Sequence, residues 1–498
     1  MPITLGCDLG SSSIKVSLFD TETGQNLITC QSPSDELPIQ AAEAGYAEQD
    51  PEMWWQHFKL ALSSACVRAK IQASQIKAIG ISYQMHGLVM VNDQNDVIFP
   101  AIIWCDSRAV ETGQELLDAI GKEYCFENLL NSPGNFTASK LLWIKQNAPE
   151  IFKQCKHFML PGDFLALRLS GEVTTTPAGL SEGIFWNFKT NSVDQVLLEK
   201  AGISAELIPN IKPIFGTQTT VDANGAKETG LALGTPITYR SGDQPNNAFS
   251  LGVLEPREVA ATAGTSGVMY AVTEKDYVDP SQRVNTFLHV NNTAELQRRG
   301  VLLCVNGTGC AYSWLRRAFG SSLTYEDLNR IAQNSQVGSE GILFYPYGNG
   351  AERTLGNISP GSAMIGLDFN RSQLPDMTRA VQEGIAFAMY YAVEAVVQDD
   401  RDFSAIHAGK ANLFLSPVFR STLSNLMNAP IELCNTDGSQ GAARGAAYGA
   451  GFFKTFAETF ASLTCLEKIE PEAATVNELR AIYQNWKHTL ETTLLPRG

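Results

Sequence analysis

Carboxylates, small hydroxyls and glycines recur in this chain at the ends of β-type runs, where reactive groups are commonly carried. The stretch with most chemical character is Tyr239–Gly252, Tyr-Arg-Ser-Gly-Asp-Gln-Pro-Asn-Asn-Ala-Phe-Ser-Leu-Gly. A β-type run, Pro236–Tyr239, leads into it. Gly242 permits a sharp bend beside a single acid, Asp243, and Pro245 removes a backbone donor directly after Gln244. A helix over Asn246–Val253 is expected to follow. A carboxylate in that position can take a proton from a substrate hydroxyl. It can equally well cap the following helix.

The N-terminus offers a second site. Strands are expected over Ile3–Asp8 and Ile14–Phe19, joined by a tip with Gly10, Ser11, Ser12 and Ser13. Successive N–H groups and hydroxyls at such a tip can nest a phosphate, with Lys15 adding positive charge. Asp8, just before the tip, can hold a magnesium ion through water. The competing reading is a plain β-turn. The logic repeats in the second half: strand Glu258–Ala263, tip Gly264-Thr265-Ser266-Gly267, strand Val268–Val272. Two such tips in separate halves would grip a polyphosphate, with the Asp243 stretch as hinge. Between them, strand Ile76–Ser82 runs into Met85-His86-Gly87, and strand Ile102–Trp104 runs into Asp106 and Arg108. Converging polar groups of this kind suit a polyol or sugar pocket.

A chain of 498 residues exceeds one hydrophobic core and predicts two or three domains. The net charge of −15 argues against nucleic-acid or anionic-membrane partners, so any phosphate site is built locally. The ten cysteines form no Cys-x-x-Cys pair, which disfavours zinc and predicts reduced thiols. The apolar stretch near Ile385–Val397 contains Glu394 and is too short to span a bilayer, and the N-terminus has no basic leader. A soluble cytoplasmic protein is expected. No Gly-Lys-Ser/Thr occurs, and Gly348-Asn349-Gly350 lacks the third glycine of a dinucleotide motif.

The remaining elements position these groups. Asp50 caps a helix opening at Pro51, with Trp54, Trp55, Phe58 and Leu62 as core. Helices are predicted over Glu111–Phe126, Ala138–Asn147, Phe164–Leu169 and Val193–Ala201, with strand and turn from Thr174 to Phe188. In the second half a strand Val301–Val305 leads to helix Cys310–Phe319. A long helix Pro375–Val397 and a strand Ala405–Ala408 follow. Gly441, Gly445 and Gly449 mark one side of a helix over Gly438–Phe453 for close backbone packing, and the tail Pro471–Leu495 is helical.

Taken together these residues resemble the FGGY carbohydrate kinases of the actin/hexokinase-like ATPase superfamily, and within them the members acting on xylulose. Asp8–Lys15 is similar to the family's first phosphate loop, Met85-His86-Gly87 to the sugar element of the xylulose-type members, and Trp104-x-Asp106-x-Arg108 to the loop after it. Gly242-Asp243-Gln244 resembles the segment of the catalytic base, Gly264–Gly267 the second phosphate loop, Gly350–Thr354 a Gly-Glu-Arg-Thr stretch, and Gly409–Asn412 the adenosine loop. The resemblance implies an α/β fold of two ribonuclease H-like (actin/hexokinase-type) domains with a cleft between them, 1–245 and 246–498. It implies ATP-dependent phosphorylation of D-xylulose to D-xylulose 5-phosphate, with Mg²⁺, and a homodimer. Asp243 is then the base and Asp8 the magnesium anchor. Met85, His86, Trp104, Asp106, Asp243 and Gln244 contact sugar. Gly10, Ser11, Ser12, Ser13, Lys15, Gly264, Thr265, Ser266, Gly309, Ser313, Gly409, Lys410 and Asn412 contact ATP. The chain departs from the pattern in having one glycine at Ala408-Gly409-Lys410, an extra residue before Glu352, and a bulky Gln244–Asn247 run. Another sugar kinase of the family is the nearest alternative. A non-kinase actin-like ATPase is further off, having no use for Met85-His86-Gly87.

Overall fold

Most of the β-type runs read from the sequence assemble into two mixed sheets that share an order of six strands. The computed structural model describes residues 2–319, 322–396 and 403–497. Contacts divide the chain into two compact units. One comprises Met1–Gly252, Phe287–Arg299 and Thr436–Leu463; the other comprises Val253–Thr286, Gly300–Asn435 and Thr464–Gly498.

In the first unit, β1 (Ile3–Leu9), β2 (Ile14–Asp20), β3 (Gln25–Ser32), β4 (Ile76–Tyr83), β5 (Phe215–Thr220) and β6 (Pro236–Gly242) form a six-stranded sheet. Its order is β3-β2-β1-β4-β6-β5. The β1–β2 and β2–β3 pairs are antiparallel, whereas β1–β4 and β4–β6 are parallel. Every residue of β4 except Lys77 is buried, the continuous apolar run that a sheet covered on both faces requires. Four helices matter for the site: α1 (Pro51–Ala69), α2 (Thr137–Asn147), α3 (Asp243–Ser250) and α4 (Gly438–Gly449). Asp50 caps α1 as expected, accepting the Glu52 N–H at 2.9 Å, and α1 buries Trp54, Trp55, Phe58 and Leu62.

Helix α4 lies against the sheet at backbone distance. A Cβ on Gly6 of β1 would stand 1.9 Å from the Ser439 carbonyl oxygen, and one on Gly80 of β4 2.0 Å from that of Ala442. Thr4 Oγ1 donates to the Ala443 carbonyl at 2.9 Å, and Thr238 Oγ1 to that of Ala446 at 2.8 Å. The expected small-residue packing of Gly445 and Gly449 is present, directed at Tyr239 and the Thr238 carbonyl of β6.

The second unit repeats the order. Six of the seven strands of its sheet, β7 (Glu258–Ala263), β8 (Gly267–Thr273), β9 (Arg299–Val305), β10 (Ala405–Gly409), β11 (Ile431–Cys434) and β12 (Cys465–Ile469), run β9-β8-β7-β10-β11-β12. As in the first sheet, a hairpin is followed by two parallel neighbours and an antiparallel edge. The helix Leu374–Val396 packs in its core through Ile385, Ala386, Phe387 and Met389; the expected terminal residue, Val397, lies outside the described residues.

Four expectations need correction. The expected strand Ile102–Trp104 is instead the end of Val97–Ile102, which stops at Ile102. The helix after β6 starts at Asp243, three residues before the expected Asn246, because Gly242 serves as its N-cap. The Thr174–Phe188 stretch contains a helix, Pro177–Glu182, capped by the Thr176 side chain with Pro177 in its first turn. The expected helix Glu111–Phe126 is broken after Ile120, where Gly121 takes φ +97°, and resumes as Lys122–Tyr124 and a π-helical turn over Cys125–Leu129. Among the described residues no helix is long and apolar enough to cross a membrane.

Candidate active site

Parallel strands β1, β4 and β6 bring their C-terminal ends to one edge of the sheet. Their register sets Asp8 beside Ser82 and Ser82 beside Ser241. The β1–β2 tip and the first residue of α3 therefore face the same space. A cavity of about 280 Å³ there is lined by Asp8, Gly10, Ser11, Ser12, Ser13, Lys15, Gln84, Trp104 and Asp243. Eight of these nine were expected at a phosphate or sugar site. Gln84 was not, although it occupies the strand end just before Met85.

Asp8 is held from two sides. Ser82 Oγ donates to its carboxylate at 2.8 Å. The N-terminus of α4 abuts it, since a Cβ on Gly438 would lie 2.7 to 3.2 Å from the Asp8 carboxylate atoms. Burial raises the proton affinity of Asp8; Ser82 and Lys15 oppose that rise, and the nearby Asp437 adds to it.

Asp243 is the first residue of α3. It is not the residue capping that helix; Gly242 is, and contributes no side chain. Burial pushes its carboxyl up to about 7, and the charge of Asp8 pushes the same way, against N–H donation from the Gln244 backbone and side chain. Gln244 thus supports Asp243 and does not line the cavity.

The sugar-side residues separate. Trp104 is half exposed and its Nε1 donates to Ser11 Oγ at 3.3 Å, joining its loop to the serine tip. Met85 is buried against the backbone of Gly242, where a Cβ would meet its Cγ at 2.6 Å. His86 has φ 60°, an uncommon left-handed conformation for a side chain with a Cβ. Its Nδ1 bonds the Glu182 carbonyl at 3.0 Å, and its ring lies 4.7 Å from Phe136 and 5.4 Å from Phe287.

Asp106, expected to contact sugar, is fully buried and does not line the cavity. Its carboxylate accepts the Ala47 N–H at 2.6 Å and pairs with Arg108 at 2.7 Å. Both oxygens are committed, so Asp106 braces the loop that carries Trp104.

In the second unit the β7–β8 tip is clasped by the start of the helix Gly309–Phe319. The Gly264 carbonyl accepts the Gly309 N–H at 2.9 Å and the Thr265 carbonyl the Cys310 N–H at 3.2 Å. A Cβ on Gly309 would stand 2.1 Å from the Gly264 oxygen, so only glycine fits. The Asn412 amide approaches within 3.5 Å of the Cβ position at Gly264. These expected nucleotide residues therefore converge. Ser313 instead accepts from Arg317 at 2.7 Å, and the Lys410 ammonium pairs with Glu467 at 3.2 Å.

The donors present fit a magnesium ion bound with a polyphosphate. Among the described residues no group of three or more His, Cys, Asp or Glu side chains is arranged to hold a metal. Magnesium bound with nucleotide needs only one or two carboxylates, with phosphates and water completing its shell. Asp8, beside the serine tip, has that character.

The model of the FGGY family of carbohydrate kinases, N-terminal domain, matches residues 3–250, and that of the C-terminal domain matches 259–452. The chain is 28% identical over 401 residues to a xylulose kinase from Bacillus subtilis, covering 79% of this chain and 77% of that one. Its fold matches ligand-bound xylulose kinase from Lactobacillus acidophilus with TM-score 0.89 at 22% identity, over 99% of both chains. It matches gluconate kinase from the same organism with TM-score 0.88, also at 22% identity and over 99% of both. At that identity these two structures bear on the fold alone. With both domain models matched in order across the two sheets, the chain belongs to the FGGY family of carbohydrate kinases, and is an ATP-dependent sugar kinase.

Proposed function

We propose that the enzyme transfers the terminal phosphoryl group of ATP to a primary hydroxyl of D-xylulose, giving D-xylulose 5-phosphate. One observation carries the chemistry: Asp243 lines the same cavity as Asp8 and the serine tip. A proton acceptor and a phosphate-binding edge within one small space are what transfer to an alcohol needs. Asp243 accepts the hydroxyl proton as the new O–P bond forms and ADP departs. Gly10–Ser13 and Lys15 hold the transferring phosphate. Asp8 would anchor Mg²⁺, which when bound neutralises charge on the phosphate oxygens. Gly264, Thr265, Ser266 and Gly309, together with Gly409 and Asn412, serve the nucleotide. Met85, His86, Trp104 and Gln84 orient the sugar.

The choice of D-xylulose rests on the xylulose kinases related to this chain and on Met85-His86-Gly87. Functional halves 1–245 and 246–498 belong to the same proposal. The test is phosphosugar formation with MgATP, read by mass spectrometry, across D-xylulose, D-ribulose, gluconate and glycerol. D-Xylulose is expected to give the highest kcat/KM. A tenfold or greater preference for another acceptor would remove D-xylulose and reassign the substrate.

A further inference from the structure

Lys140, on α2, is a charged residue with no solvent exposure. Lysine is almost never fully buried unless its ammonium is satisfied. Here Nζ donates to the His86 carbonyl at 2.9 Å and to the Ile103 carbonyl at 2.9 Å. Burial pulls its proton affinity down to about 7, against the charge of Asp106. An apolar side chain at this helix position would avoid that cost, so the two bonds must secure something the fold alone does not.

What they secure is visible in the register. The antiparallel pair formed by Leu88–Val91 and Val97–Ile102 begins with Leu88 opposite Ile102. His86 and Ile103 lie just beyond that first rung. Past it, Met85 and His86 leave on one side and Trp104 on the other. His86 also holds a left-handed conformation, which is strained for a side chain with a Cβ and persists only when its surroundings fix it. We infer that Lys140 is a positioning residue of the sugar site, whose ammonium latches the Met85-His86 turn to the segment entering Trp104. Substrate need not touch it; its effect passes through the residues it holds.

This inference rests on the reading of Met85, His86 and Trp104 as the sugar-facing group. The test compares Lys140→Met, which keeps the chain length without donors, with Lys140→Gln, which retains an amide NH2 as donor on a shorter side chain. KM for the sugar and KM for ATP are measured separately, with circular dichroism to establish folding. Lys140→Met is expected to raise sugar KM by about 10- to 100-fold, the scale of losing charge-assisted hydrogen bonds. ATP KM should stay within about threefold, and Lys140→Gln should fall between wild type and the Met variant. A folded Met variant with wild-type sugar KM overturns the latch. So does an equal rise in both KM values, or failure of both variants to fold, each of which makes Lys140 a general core residue. If the wild-type enzyme turned over no ketose or polyol, the sugar-site reading itself would fall and the latch with it. The wild-type panel therefore separates the two failures.

Discussion

A proton acceptor must be ionised before it can act, and Asp243 is held near neutrality, with a carboxyl pushed up to about 7. Since kcat/KM reports the free enzyme, it should fall about tenfold per pH unit below that value. A profile flat from pH 8 to pH 5 would remove Asp243 as the base. Asp243→Asn should lower kcat by about 10²- to 10⁴-fold in a folded protein. Stability should move the other way. The folded carboxyl binds its proton more tightly than the unfolded one, so the fold is favoured at low pH. That advantage is lost as pH rises from about 4 through about 7. Asn has no such titration. Without nucleotide and Mg²⁺, the variant should therefore be more stable than wild type above pH 7, with the gap closing towards pH 4. The ceiling is about 4 kcal/mol, and access of water to the cavity brings the real figure lower. Chemical denaturation at several pH values checks both the sign and the window.

Elements set the positions of these residues, and helix α4 sets that of Asp8. Gly438 touches Asp8, and Gly6 and Gly80 let the helix sit on β1 and β4. Gly438→Ala should push the Asp8 carboxylate aside and lower kcat by about 10- to 100-fold while the thermal midpoint moves little. Gly6→Ala should do the reverse kind of damage, costing about 1–3 kcal/mol by overpacking the sheet against the helix. Activity assays paired with thermal melts distinguish the two. This scale also marks where the sequence stops being readable. The Gly10–Ser13 and Gly264–Gly267 tips were legible because turn chemistry is local: glycine and hydroxyl residues between two apolar runs announce it. Asp106 was misplaced because a polar residue at a strand end looks the same whether it faces a cavity or braces a loop. Only the Arg108 and Ala47 bonds separate the cases. Gly438 and Lys140 escaped notice because their partners, Asp8 and the carbonyls of His86 and Ile103, lie at sequence distances no periodicity records.

For the whole molecule, the repeated strand order echoes in space what the two tips echo in sequence, yet the chain does not divide in space where it divides in sequence. The first unit is discontinuous: residues 287–299 and 436–463 pack with 1–252. Helix α4 packs against β1, β2, β4 and β6. Its backbone lies close enough that Gly6 and Gly80 admit no side chain there. A fragment of residues 1–252 would expose the sheet surface under α4, including the polar groups of Thr4, Ser17 and Thr238 that now bond to α4. Buried polar groups left without partners are costly, and an uncovered apolar sheet face invites association. Residues 1–252 expressed alone should therefore bind hydrophobic dye, lack near-ultraviolet dichroism and melt without a cooperative transition. Joining residues 436–463 to the fragment through a flexible linker should restore a cooperative melt, because the helix returns its carbonyls to Thr4 and Thr238. A fragment 1–252 that melts as cooperatively as the joined form would show that the sheet needs no helix from the far end of the chain.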